Sequence, residues 1–163
     1  MQESSFFVLK RRQKRNGGNK GKILKKGENF NIRSRLNESL LIMQEVKCQL
    51  FTDSVKDEIV LTSTIKDDYV LDTWLKDMEL KNISERNPHT LSGGQKQRVI
   101  ILSALLSDKI ILFFDEPTSG LDYRNMKIAA KNIKKVKEED KLILIISHDV
   151  EFLESVCDRI VEL

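Results

Sequence analysis

The chain has 163 residues, 40% of them apolar, and its 28 Lys and Arg against 25 Asp and Glu leave a net charge of +3. That is the size and composition of one globular domain, with no apolar run near the roughly 20 residues that cross a bilayer. The opening stretch SSFFVLKRRQKR places its basic residues after its apolar ones, the reverse of a secretory signal, and Cys48 and Cys157 form neither a metal cluster nor a disulfide framework, so both read as reduced thiols.

Residues 6–15 predict a short helix, broken by the turn-forming NGGNKG. Residues 10–26 hold nine Lys and Arg and no acid; without them 19 basic residues face 25 acidic ones, a net of −6, so the basic character is local. It reads as a solvated helix and loop rather than a polynucleotide surface, and no specific nucleic acid is expected as a partner. KILKKGENFNI predicts two short extended pieces around a glycine turn, and SLLIMQEV a buried strand ending near Gln44. Ser54 and Asp57 suggest a capping box that opens a helix. Val70, Leu71, Trp74, Leu75 and Met78 recur at helical spacing, which predicts a second helix over residues 68–80 with Trp74 as a packing residue. ERNPHT reads as a loop, with His89 structural or exposed.

From Ser92 onward Val99, Ile100, Leu102, Leu105 and Leu106 mark a helix with a broad apolar face. Residues 110–114 form an unbroken apolar strand, residues 126–136 another helical period, and Leu142 to Ile146 a second unbroken strand. Strands without polar alternation, separated by a helix, imply an α/β fold whose parallel sheet is covered on both faces.

Ligands of open α/β sheets bind beyond the carboxyl ends of the strands. Asp115 and Glu116 end one strand; Ser147 and His148 end the next. Pro117 stops the first strand directly after its acids. An acid in that place suits Mg2+, which prefers carboxylate and water oxygens, and a second beside it can orient or deprotonate an attacking water. In LSGGQ, Ser92 caps the helix start and Gly93 and Gly94 leave its amides bare, so an anion can approach the unpaired N–H groups.

Taken together, these segments resemble an ATP-binding cassette (ABC) ATPase. LSGGQKQR resembles the family's signature, IILFFDEP its Walker B strand, SGLD its D-loop, IISHD its switch histidine, and Gln44 in LLIMQEVKCQLF its Q-loop glutamine. MQEVKCQLFTDSVKDEI and EPTSGLDYRNM are similar to the energy-coupling-factor subgroup, whose cassettes drive uptake of vitamins or transition-metal ions. The resemblance implies a P-loop NTPase core, RecA-like, with a parallel sheet and a helical subdomain at residues 53–90. Residues 91–163 would carry signature, Walker B, D-loop and switch. It implies ATP and Mg2+, with Asp115 and Gln44 at the metal, Glu116 as general base and His148 on the γ-phosphate. Ser92, Gly93, Gly94 and Gln95 would bind ATP held by a second cassette, and Asp122 would bridge the two subunits. A transmembrane transporter subunit is the other implied partner, at the cytoplasmic face of the membrane.

The family also needs G-x-x-x-x-G-K-[ST], whose amides and Lys hold the phosphates; residues 1–163 contain no such pattern. Aligned back from GKIL, residues 2–5 (QESS) fall on the family's G-K-[ST]-T, putting Ser4 at the Mg2+-ligand position and Glu3 where the lysine belongs. The Walker A strand and N-terminal β-subdomain are then missing, as in a gene remnant, a misplaced start or a fragment. On this reading the Leu142–Ile146 strand has an open edge and the chain is poorly soluble. Alternatives are a soluble ABC-type ATPase of DNA repair or translation, or a non-catalytic partner cassette that donates its signature.

Overall fold

In the computed structural model, residues 7–10, 24–25, 28–29, 37–43, 49–136 and 141–162 are described, with residues 7–10, 24–25, 28–29 and 162 as backbone only. Two of the apolar runs form the middle of a parallel sheet. Strand β1 is Phe7–Lys10, β2 Leu24–Lys25, β3 Glu28–Asn29, β4 Ser39–Ile42, β5 Ile111–Asp115, β6 Leu142–Ile146 and β7 Arg159–Glu162. The main sheet runs β4-β5-β6-β1-β7, all pairs parallel, while β2 and β3 pair antiparallel as a separate two-stranded sheet; the glycine expected to turn between them lies outside the described residues.

The first strand corrects two expectations. Phe7–Lys10 is extended, not the start of a helix, and it lies between β6 and β7, so the edge of β6 read as open is filled. The physical reason is the demand of two parallel strands for partners: unpaired strand amides and carbonyls are costly, and the aromatic and β-branched FVL suits a strand between them.

Among the described residues the helices that follow β4 are α1 Val55–Thr62, α2 Asp68–Asp77, α3 Gly93–Leu105, α4 Tyr123–Lys135 and α5 Val150–Val156. The helix α5 and strand β7 are additions to the sequence reading. Alternation along β5 and β6 sends Leu112, Phe114, Ile143 and Ile145 into one core with Val99, Leu102 and Leu105 of α3, Ala129 and Ile133 of α4, and Phe152 of α5. The opposite sheet face is half-buried at the described residues, rather than fully covered as expected. The spine is α3: every residue from Gln97 to Leu105 is buried, so only its first turn meets solvent. A helix apolar or buried all round belongs inside a fold.

Helix α2 shows how the remaining elements dock. Asp67 caps its start by accepting from the amides of Tyr69 (2.8 Å) and Val70 (3.4 Å). It ends sooner than expected, in paired turns that close on the Leu75 and Lys76 carbonyls through the amides of Leu80 and Glu79. That closure puts one residue in the left-handed region, usually glycine; here it is Glu79, at φ 52°. A left-handed non-glycine residue costs on the order of 1–3 kcal/mol. Glu79 offsets this through a bond from Arg124 (2.6 Å) and a contact at 3.8 Å with the buried Arg98, whose Nη1 also donates to the Met78 carbonyl (3.0 Å).

On the other side of α2, Trp74 is buried, with Lys135 Nζ 3.9 Å from its ring centroid. Lys135 also donates to Asp77 at 2.8 Å, and Lys131 lies 3.7 Å from the same carboxylate. The Lys135 hydrogen bond holds the Asp77 carboxyl below its usual range against the opposing effect of partial burial. A depressed carboxyl stabilises the fold above its unfolded pKa of about 3.9 and stops doing so as pH falls through the folded value. Urea midpoints across pH test this: Asp77→Asn is less stable than the parent at pH 7, and the gap shrinks below about pH 3.9.

Candidate functional site

The parallel register builds one end of the site. Asp115 pairs with Ile146, and the Glu116 amide donates to the Ile146 carbonyl at 2.8 Å, extending the β5–β6 ladder by one residue. The next residues on each strand must then be neighbours. Ser147 Oγ donates to Glu116 Oε2 at 3.2 Å, and His148 Nε2 lies 3.5 Å from Glu116 Oε1. Ser147 is fully buried and also accepts from the Asp149 amide (3.2 Å), whereas the His148 side chain is 70% exposed. Glu116 itself is held at φ 50°. Left-handed backbone at a non-glycine residue concentrates at functional sites. The sequence reading therefore brought Glu116 and His148 together correctly. Ser147 had been placed at the strand end without a role, and the parallel register is the signal that assigns it one.

Asp115 is half-buried at the last position of β5. Among the described residues no three His, Cys, Asp or Glu gather as a metal site. Asp115 thus offers a single carboxylate. Such a donor set fits a hard cation that completes its shell with water and phosphate oxygens, as Mg2+ does, and not one held by protein alone. Gln44 and Ser4, the other two expected metal contacts, lie outside the described residues, as do Cys48 and the glycines of NGGNKG.

The glycine turn forms the second part. Ser92 caps α3: its hydroxyl accepts from the Gln95 amide (3.3 Å), and Gln95 Oε1 accepts from the Ser92 amide (3.0 Å). Gln95, expected at the nucleotide, is in this structure half of a capping box. The two glycines differ. A Cβ on Gly94 would meet Leu121 Cδ2 at 3.4 Å, Asn125 Nδ2 at 3.7 Å and the Gly120 carbonyl at 3.8 Å; one on Gly93 would meet nothing within 4 Å. A Cβ on Gly94 would thus rest in ordinary contact with the SGLD turn, which packs against this glycine. Gly93 faces open space, and its bareness leaves an amide open at the positive end of a helix. Asp122, expected to bridge subunits, is exposed and caps α4 by accepting from the Asn125 amide at 2.8 Å.

Cys157, behind the site at the end of α5, is half-buried, and burial pushes its thiol pKa up to about 12. It stays a thiol at neutral pH and is a poor nucleophile.

The capping geometry makes a stability test that separates folding from ligand roles. Urea unfolding should show Ser92→Ala losing about 1 kcal/mol with its cap. Gly93→Ala should keep or gain a few tenths, since alanine is the better helix former. A loss in Gly93→Ala comparable to that in Ser92→Ala would mean the turn is glycine for structural reasons.

The ABC transporter family profile matches residues 8–119, which takes in all of β1 but Phe7, the Ser92–Gly94 turn, Asp115 and Glu116 and stops short of Asp122 and His148. A Treponema denticola protein named as an ABC transporter ATP-binding protein is 41% identical over 140 residues, covering 86% of this chain and 29% of its own length. The energy-coupling factor transporter ATP-binding protein EcfA2 of Staphylococcus epidermidis is 30% identical over 147 residues, 85% of this chain and 51% of its own. The chain thus spans about half or less of these relatives. Among solved structures, CbiO1 of Clostridium perfringens, part of the ABC transporter complex CbiONQ, superposes with a TM-score of 0.72. That match covers 99% of this chain and 74% of the other at 22% identity, a likeness of fold. With the profile running through more than half of its residues, the chain belongs to the ABC transporter family of ATP-binding proteins.

Proposed function

We propose that the chain is the ATP-binding part of an importer of the energy-coupling-factor kind, coupling ATP hydrolysis to uptake of a vitamin or a transition-metal ion. The observation that carries the reading is the open Gly93 amide on the capped turn of a buried helix, in a chain whose Glu116, Ser147 and His148 meet at the sheet rim. The relative named EcfA2 supports the subgroup. On this reading residues 53–90 are the helical subdomain and residues 91–163 carry the nucleotide-facing elements.

Each side chain has a defined task. Glu116, turned by its backbone and steadied by Ser147, accepts the proton of the attacking water. His148, exposed beside it, contacts the terminal phosphate. Asp115 would hold the Mg2+ that comes with the nucleotide, and the ion's charge would neutralise the phosphates. Ser92, Gly93 and Gly94 give amide and hydroxyl donors to an ATP held by a second cassette. Asp122 and Gln44 complete the contact to that partner and to the transmembrane subunit. The chain then works at the cytoplasmic face of the membrane through that subunit; among the described residues no helix is long and apolar enough to cross a membrane.

Residues 1–163 contain no G-x-x-x-x-G-K-[ST]. The 163-residue chain therefore has no ATP turnover by itself and donates its SGGQ turn to an intact cassette. Two measurements test this: steady-state phosphate release by the purified chain, expected at background, and MgATP-dependent association with an intact cassette, expected for the parent and lost in Ser92→Arg. Turnover by the chain alone that disappears in Glu116→Gln would overturn the first statement. Association indifferent to Ser92→Arg would overturn the second.

A further inference from the structure

Outside the nucleotide elements, one buried acid has no task in the reaction. Glu58, on α1, is 4% exposed, yet no cation neutralises it among the contacts of the described residues. Its Oε2 instead accepts three hydrogen bonds: from the Phe51 amide at 2.8 Å, the Thr52 amide at 2.9 Å and the Thr52 hydroxyl at 2.9 Å. Burying a carboxylate is costly unless it is well bonded, and hydrogen bonds to an ionised group are about twice as strong as neutral ones. Three on one oxygen make the chain's passage at residues 51–52 a fixed point. Phe51, whose amide is clamped, is as a residue 77% exposed.

The same residue is tied to the other side of the core. The Ser103 hydroxyl, on α3, donates to the Glu58 carbonyl at 3.4 Å, and the Thr62 hydroxyl, at the end of α1, donates back to the Ser103 carbonyl at 3.1 Å. Helix α3 is the one whose first turn is the Ser92–Gly93–Gly94 site, some 16 Å away at 1.5 Å per residue. Seven positions before Phe51 comes Gln44. Upstream, the chain is secured as well: Ile42 is buried in β4, and Gln49 Nε2 donates to the Leu41 carbonyl at 3.2 Å.

We propose that Glu58 is a positioning residue: its carboxylate pins residues 51–52 onto α1, and α1 is stapled through Ser103 to the helix that carries the glycine turn. It touches neither nucleotide nor reacting atoms. The proposal rests on the reading of the glycine turn given above, and its effect is to hold the helix of that turn in register with residues 51–52.

The test uses the full chain with Glu58→Ala and Glu58→Gln, the latter keeping the size and one acceptor oxygen. Amide hydrogen exchange is followed by residue, with urea midpoints alongside. The expected result is exchange at Phe51 and Thr52 faster by about tenfold or more in Glu58→Ala, with protection of α3 retained and Glu58→Gln in between. Paired with an intact cassette, Glu58→Gln should lower kcat for ATP with KM unchanged, a split that loss of fold would not give. Unchanged exchange at residues 51–52, or a uniform rise along the chain in both variants, overturns the proposal. So does an unchanged kcat in the pair. If the parent itself fails to associate with an intact cassette, the functional reading falls, while the exchange result still decides whether Glu58 pins residues 51–52.

Discussion

One hydrogen bond organises the acid end of the molecule. The Glu116 amide continues the β5–β6 ladder onto the Ile146 carbonyl, so the chain cannot leave the sheet before its second acid. Parallel register then has a fixed consequence: the residues that follow each strand must meet. Glu116 is turned into left-handed backbone, Ser147 is drawn beneath it, and His148 is pushed outward into solvent. The strain at Glu116 is tolerated because strand pairing, Ser147 and the buried Pro117 all constrain the same turn. Pairing of two apolar strands thereby aims a carboxylate.

The glycine turn is governed by burial rather than pairing. Nine consecutive residues of α3 are enclosed, so the helix has no freedom to tilt and its first turn inherits the rigidity of the core. Ser92 and Gln95 satisfy two of the donors that every helix start leaves unpaired, and they do so within the turn itself. What remains unsatisfied is the bare edge at Gly93. The bridge from Arg98 through Glu79 to Arg124 ties the same helix to α2 and α4, so the two segments that flank the glycine turn share one electrostatic clamp. Burial lowers the Arg98 pKa, and Glu79 works against that loss.

Much of this was legible in the sequence because it rests on local chemistry. The strand at Leu142–Ile146 appears where the unbroken apolar run put it, β5 is displaced by one residue, the two extended pieces β2 and β3 pair, and the caps at Ser54 and Ser92 follow from residue type. Glu116 and His148 were paired from strand ends alone. The misread first strand has a different cause. FFVLK is apolar without a clear period, and whether it coils or extends depends on two distant strands that need a partner. Gln95 and Asp122 carry, beside the roles the family resemblance implies, capping bonds that it does not mention. Glu58 was invisible because a lone glutamate on a helix looks solvated until the tertiary fold buries it.

The unequal surroundings of the two glycines bear on how such a chain would drift. A methyl group at Gly94 would touch Leu121 and Asn125 at ordinary contact distance, so only a longer side chain has neighbours in its path. At Gly93 nothing stands in the way, and the helix would be the firmer for a methyl group. Were the nucleotide no longer to arrive, selection on folding would limit position 94 to small residues and leave position 93 free, and the earliest mark of disuse would be a bulky substitution at position 93.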